Sequence, residues 1–129
     1  MGNWFFYLQR TSNYVEVSNM VYYSEYRPDN GFDRDKIRAA LESILGSFSE
    51  RKRMLILPPD ITRAHSGAGM ITELLREKLG ERITDILPAL GTHTPMETAE
   101  LSRMFGRTPR TLFREHRWRT DIEELGRVP

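Results

Sequence analysis

The chain contains no cysteine. Disulfides, zinc–thiolate sites and thiol catalysis are therefore excluded within it, and the composition suits a reducing compartment. It also lacks a charge excess, with 19 Lys+Arg against 18 Asp+Glu, so bulk electrostatics favour neither nucleic acid nor an anionic membrane. No apolar run approaches the ~20 residues of a membrane-spanning helix. The opening MGNWFFYLQR has neither the basic start nor the apolar length of a secretory signal, and Phe6 stands where a myristoylation motif wants Ser or Thr. The expectation is a cytoplasmic protein. Neither a G-x-G-x-x-G fingerprint nor a P-loop is present, and Gly67-Ala68-Gly69 alone is a weak signal. His65 and His93 lack metal-ligand spacing, so no metal site is expected within the chain.

What is present is one domain's worth of sequence, 129 residues, enough for a core that needs no disulfide or metal. The stretches NWFFYLQ and YVEVSNMVYYSEY are aromatic and β-branched and suit strands, making 1–31 an irregular β-rich segment that ends in the turn RPDNGFD. Residues 32–129 read as βα units. Asp33 is a candidate N-cap, followed by Ile37, Ala40, Leu41, Ile44, Leu45 and Phe48 at helical spacing. Met54 to Leu57 is a short unalternating apolar run stopped by two prolines, which predicts a strand buried on both faces. A second helix carries Met70, Ile71, Leu74, Leu75 and Leu79, with Ser66 as a candidate cap and Gly80 as its stop.

RITDILPAL predicts a second buried strand with Pro88 at its end or at a bulge. Thr94 to Glu97 has capping-box spacing with Pro95 at the first helical position, and TLFREHRW is a candidate third strand. Strand, helix, strand, helix, strand is an α/β pattern. The expected architecture is three-layered and Rossmann-like, a mostly parallel sheet with helices on its faces.

That order has a geometric consequence. Every strand-to-helix loop of a parallel βα unit lies at the carboxyl edge of the sheet, where ligands bind in open α/β folds. PPDITRAHSGAG follows the first strand and GTHTP the second. If the strands are neighbours, Asp60, Arg63 and His93 converge on one crevice. A guanidinium fork matches a carboxylate or phosphate. An imidazole titrates near neutrality and can take or give a proton. An arginine holding an anion beside a histidine base suits a small carboxylic acid with a reactive hydroxyl. Ordinary roles compete at each position: a turn former for Asp60, a surface ion pair for Arg63, a polar loop residue for His93 and a solvated side chain for His65. Arg107, Arg110, Arg114, Arg117 and Arg119 surround Phe113 and Trp118, a combination that can stack single strands. Glu115, Asp121, Glu123 and Glu124 dilute the cluster, so a solvated edge or a surface for another domain is expected there rather than nucleic acid.

LPPDITRAHSG, LGTHTPMETAEL and HRWRTDIEELGRVP together resemble the N-terminal region of nickel-pincer-nucleotide-dependent lactate racemases and related 2-hydroxy-acid racemases and epimerases. The matching positions are Asp60, Thr62 and Arg63, then Gly91, His93 and Pro95, then His116, Gly126 and Pro129. Ala64 replaces a proline usual after the first block, and Thr94 an arginine usual after the histidine.

The resemblance implies catalysis by His93, substrate binding by Arg63 and Asp60, and a cofactor contact through Thr62 and Gly91. It leaves His116 without a role. It implies hydride transfer from a small 2-hydroxy carboxylic acid to the nickel-pincer nucleotide, with histidine acid–base help. The family's second acid–base histidine, its cofactor-anchoring lysine and its nickel-binding histidine fall beyond the equivalent of Pro129. The expectation is thus an N-terminal portion whose partner is a C-terminal catalytic domain of the same polypeptide, with no activity and no tightly bound cofactor by itself. The alternative is a stand-alone, non-catalytic module that binds an anion or a partner protein. Exposed aromatics would also allow a homodimer.

Overall fold

The computed structural model describes residues 21–26, 31–50, 52–91, 93–117 and 119–124. In chain order it contains helix α1 (Arg34–Gly46), strand β1 (Met54–Ile56), a 3-10 segment (Ile61–Ser66), helix α2 (Ala68–Leu79), a 3-10 turn (Gly80–Arg82), strand β2 (Ile83–Ile86), helix α3 (Thr98–Phe105) and a 3-10 turn (Arg110–Leu112). The chain divides into two compact units, Met1–Glu50 and Arg51–Pro129.

In the first unit α1 starts where the sequence places it. Asp33 is the N-cap and accepts the Lys36 N–H at 2.8 Å, satisfying one of the orphan donors of the first turn. Leu41 and Ile44 are its buried positions. Tyr22 meets Phe48 with ring centroids 5.2 Å apart, and Lys36 pairs with Glu25 at 3.1 Å. The β-rich expectation for 1–31 finds no support where it can be read: residues 21–26 form no strand, and NWFFYLQ lies outside the described residues.

In the second unit β1 and β2 pair in parallel, connected through α2. Ile56 lies opposite Ile86, and the pairing continues past both strands to a Pro59–Ala89 bridge, with the Leu87 N–H donating to Ile56 at 2.9 Å and the Ala89 N–H to Pro58 at 2.8 Å. The anticipated three-layer sheet is smaller than expected: among the described residues it has two strands. The third strand reduces to one parallel bridge, Ile86–Phe113, with the Arg114 N–H on the Ile86 carbonyl at 2.9 Å. The local reason is the 3-10 turn before it, in which Leu112 and Phe113 donate backward to Pro109 and Arg110 instead of sideways into a ladder.

β1 also departs from expectation. Successive strand residues face opposite sides, and here Leu55 and Leu57 are 53% and 61% exposed. Only the Met54 and Ile56 side is partly covered, so an unalternating apolar run did not mean two buried faces.

The core lies where α2 and α3 meet. Ala68, Met104 and Phe105 are buried together, with Ile61, Met96, Leu101 and Phe113 packed around them. Gly69 is what lets the two helices approach: a Cβ built there would stand 1.9 Å from the Met104 carbonyl oxygen, which is backbone and cannot give way. α3 starts later than the sequence suggests. Its N-cap is Glu97, in a reciprocal capping box with Glu100, and not Thr94. The spacing occurs twice in this segment, and use of the second box keeps His93 on irregular backbone. The N-cap of α2 is Gly67, although the Ser66 hydroxyl does accept the Ala68 N–H at 3.3 Å. No helix among the described residues is long and apolar enough to cross a membrane.

Candidate functional site

The parallel register brings the two loops together. Pro59 bridges Ala89, so the residues that follow each, Asp60 and Leu90-Gly91, emerge side by side at the carboxyl edge. Asp60 leaves the strand in extended conformation and caps the 3-10 segment. One of its oxygens, Oδ1, accepts the Thr62 N–H at 3.1 Å and the Thr62 hydroxyl at 2.5 Å. This turn fixes the carboxylate through bonds that span only two positions of sequence. The other, Oδ2, faces Nδ1 of His93 at 2.5 Å, across 33 positions of sequence.

Asp60 is 4% exposed, whereas the His93 side chain is 50% exposed. A buried acid thus holds one edge of an imidazole whose ring still reaches solvent. Burial pushes the Asp60 carboxyl up, but hydrogen bonds from the Thr62 hydroxyl, His93 and the Thr62 amide, with attraction to His93, outweigh it and hold Asp60 below the ordinary carboxylate range. Asp60 is therefore ionised at neutral pH and can only accept. Nδ1 of His93 must carry the hydrogen, which leaves the lone pair of the neutral ring on Nε2.

A pH dependence follows. A carboxyl whose folded-state pKa is depressed contributes stability that is fully present above its unfolded value, about 3.9, and is lost as pH falls through the lower folded value. Asp60→Asn should cost about 1–2 kcal/mol at pH 7. It should cost progressively less below pH about 4, where the unaltered chain loses this contribution and the variant has none to lose. Urea midpoints of both proteins measured from pH 7 to pH 2 check this; parallel curves would show that Asp60 carries no such linkage.

The loop that carries His93 turns at Gly91, whose φ of +59° favours glycine. The His93 N–H closes the turn on the Leu90 carbonyl at 3.0 Å. The Leu90 N–H in turn donates to Nδ1 of His116 at 3.3 Å.

Arg63 lies three residues beyond Asp60, at a kink in the 3-10 segment with φ −112° and ψ 29°, a sparsely populated region in which many active-site residues are found. It is exposed, and among the described residues its guanidinium makes no hydrogen bond or ion pair. Asp60 and His93 are thus brought into contact, while Arg63 stands uncommitted on the same loop as Asp60. Thr62 is exposed, but its hydroxyl hydrogen is committed to Asp60. Gly91 is exposed, with nothing within 4 Å of a Cβ built there. His65 is exposed and takes no part in this constellation.

Three arginines of the C-terminal cluster have local partners, and Arg114 and Arg117 remain exposed. Arg114 meets Asp85 at 2.6 Å, Arg117 meets Glu115 at 3.3 Å, and Arg110 bonds Ser102 and lies over the Phe113 ring. Among the described residues no group of three or more His, Asp or Glu could hold a metal ion.

Two site features escaped the sequence reading. Thr62 as the support of Asp60 was recoverable, because D-x-T is the spacing of a side-chain-closed turn. The bond from Leu90 to His116 had no local signal, since its partners are 26 positions apart.

A family model described as the lactate racemase N-terminal domain matches residues 13–128. No curated protein and no solved structure gives a match.

Proposed function

Since the chain belongs to the lactate racemase N-terminal domain family, we propose that it supplies the proton-transfer and carboxylate-binding half of a 2-hydroxy-acid racemase or epimerase site. The observation that carries this reading is the buried Asp60 carboxylate 2.5 Å from Nδ1 of a half-exposed His93. Nε2 of His93 removes the substrate's hydroxyl proton as the carbon is oxidised to a keto acid, and returns it when the carbon is reduced. Asp60 orients the ring and stabilises the imidazolium that forms. Arg63 holds the substrate carboxylate in a two-pronged bond and so fixes which hydroxyl faces the base.

In this family the hydride chemistry belongs to a nickel-pincer nucleotide. The described residues include no cluster that could hold its metal, so they do not fit as the nickel holder, and the roles assigned to them stop at the proton and the carboxylate. The acid–base group for the opposite face of the planar keto acid is assigned, on the same reading, to a C-terminal catalytic domain. Thr94 beside His93 replaces a cationic residue of the family pattern, which makes the pocket less positive and suits a substrate with a single carboxylate.

The test is Arg63→Ala assayed for racemisation of D- and L-2-hydroxy acids in the cofactor-loaded enzyme. Loss of a charge-assisted pair, about 1.5–3 kcal/mol, should raise KM by about tenfold to a hundredfold with a smaller change in kcat. An unchanged KM for both enantiomers would sink the assignment.

A further inference from the structure

The parallel ladder leaves one buried donor to be accounted for. Leu87 and Ala89 send their N–H groups to the β1 side, onto Ile56 and Pro58. By strand alternation the N–H positions of Pro88 and Leu90 face the other way, toward the segment after Phe113. Pro88 has no N–H. Leu90 has one, and Leu90 is 3% exposed, so leaving that group unpaired would be costly. Among the described residues, no strand pairing beyond the Ile86–Phe113 bridge offers it a carbonyl. Nδ1 of His116 takes that place.

The same peptide link has a second duty, because the Leu90 carbonyl receives the N–H of His93. A continuous chain of bonds thus runs from the His116 ring through Leu90 to His93 and on to Asp60.

We propose that His116 is a positioning residue for the acid–base histidine: its Nδ1, acting as an acceptor, holds Leu90 and thereby sets the turn that presents His93 to Asp60. The proposal rests on the reading of His93 as the acid–base group. It makes a specific chemical demand, that Nδ1 of His116 be unprotonated and that Nε2 carry the hydrogen. An acceptor atom in that place is what matters, not the ring itself. The ring lines a groove of about 290 Å³ beside Pro88, Met96, Leu101 and Phe113, largely apolar neighbours that a phenylalanine would suit in character.

The experiment is nuclear magnetic resonance on the 15N-labelled chain, unaltered and as His116→Phe, His116→Asn and Asp60→Asn. In the unaltered chain at neutral pH the ring nitrogens of His116 should report the Nε2–H tautomer, and the Nδ1–H proton of His93 should be visible through its protection by Asp60. His116→Phe should speed Leu90 amide exchange by about tenfold, the loss of one hydrogen bond, and broaden the His93 Nδ1–H signal. His116→Asn should restore both, because its amide oxygen can accept the Leu90 N–H, whereas a role in packing alone would be served better by phenylalanine.

A proton on Nδ1 of His116, or a His116→Phe spectrum in which Leu90 and His93 are unmoved while Asp60→Asn still erases the His93 signal, would overturn the positioning role and leave the functional reading intact. The expected pattern in the chain, together with a His93→Ala enzyme of normal turnover, would do the reverse. Should His116→Phe fail to fold, the tautomer in the unaltered chain and the His116→Asn spectrum decide the matter.

Discussion

His93→Ala is expected to lower racemisation turnover in the cofactor-loaded enzyme by about 10²–10⁴-fold, the usual contribution of a positioned general acid–base group. The loss should fall on kcat, with KM for the hydroxy acid little changed, because the carboxylate is held elsewhere, by Arg63. The opposite split is expected for Arg63→Ala, and the pair of variants separates proton transfer from binding. The His93 side chain is 50% exposed, so its removal leaves little cavity; it does take one hydrogen bond away from the buried Asp60 carboxylate, so stability should fall by no more than the about 1–2 kcal/mol expected for Asp60→Asn. A turnover loss far larger than this modest change in stability, in a variant still folded under assay conditions, would mark chemistry. Equal turnover in the two proteins would remove His93 from the mechanism and return it to the status of a polar loop residue.

Phe105→Ala should have the largest effect on stability, about 3–5 kcal/mol, the range for deleting a buried aromatic side chain. Phe105 is fully buried, packs with Ala68 and Met104, and meets the Phe113 ring with centroids 5.0 Å apart. Its neighbours explain why this site matters to function. Ile61, directly after Asp60, lies against the same cluster, and Phe113 forms the bridge to β2. The aromatic contact therefore backs the Asp60 loop and the segment leading to His116 together. A loss of this size consumes much of the stability of a typical small domain. Urea denaturation of the variant checks it, and a change below about 1 kcal/mol would mean that the cluster closes around the gap.

Both effects bear on how much could be read from the residues in order. The local signals held. Asp33 caps α1, Gly80 ends α2, β1 and β2 fall within the two apolar runs, and Pro88 lies just past the end of β2. Capping was legible only up to a choice: two boxes share residues 94–100, and the later one starts α3. The sheet was over-read. An apolar run announces a strand, but whether both faces are covered depends on what else packs there, and Leu55 and Leu57 remain exposed. TLFREHRW has strand-like composition, yet its preceding 3-10 turn uses the backbone groups a ladder would need.

What the sequence determined by itself was whatever neighbours along the chain can decide: where helices begin and end, which loops follow which strands, and that an aspartate, an arginine and a histidine sit on two loops of one sheet edge. Motif order also placed the chain in its family. The tertiary structure decided which of those groups touch. It put Asp60 against His93, left Arg63 uncommitted, turned Thr62 back onto Asp60 and gave the unassigned His116 the Leu90 N–H as its partner. The physical reason is range. Caps and turns close over three or four residues and leave a spacing that can be read. A hydrogen bond across 26 or 33 positions depends on strand register and helix packing, and its partners carry no mark of each other in the sequence between them.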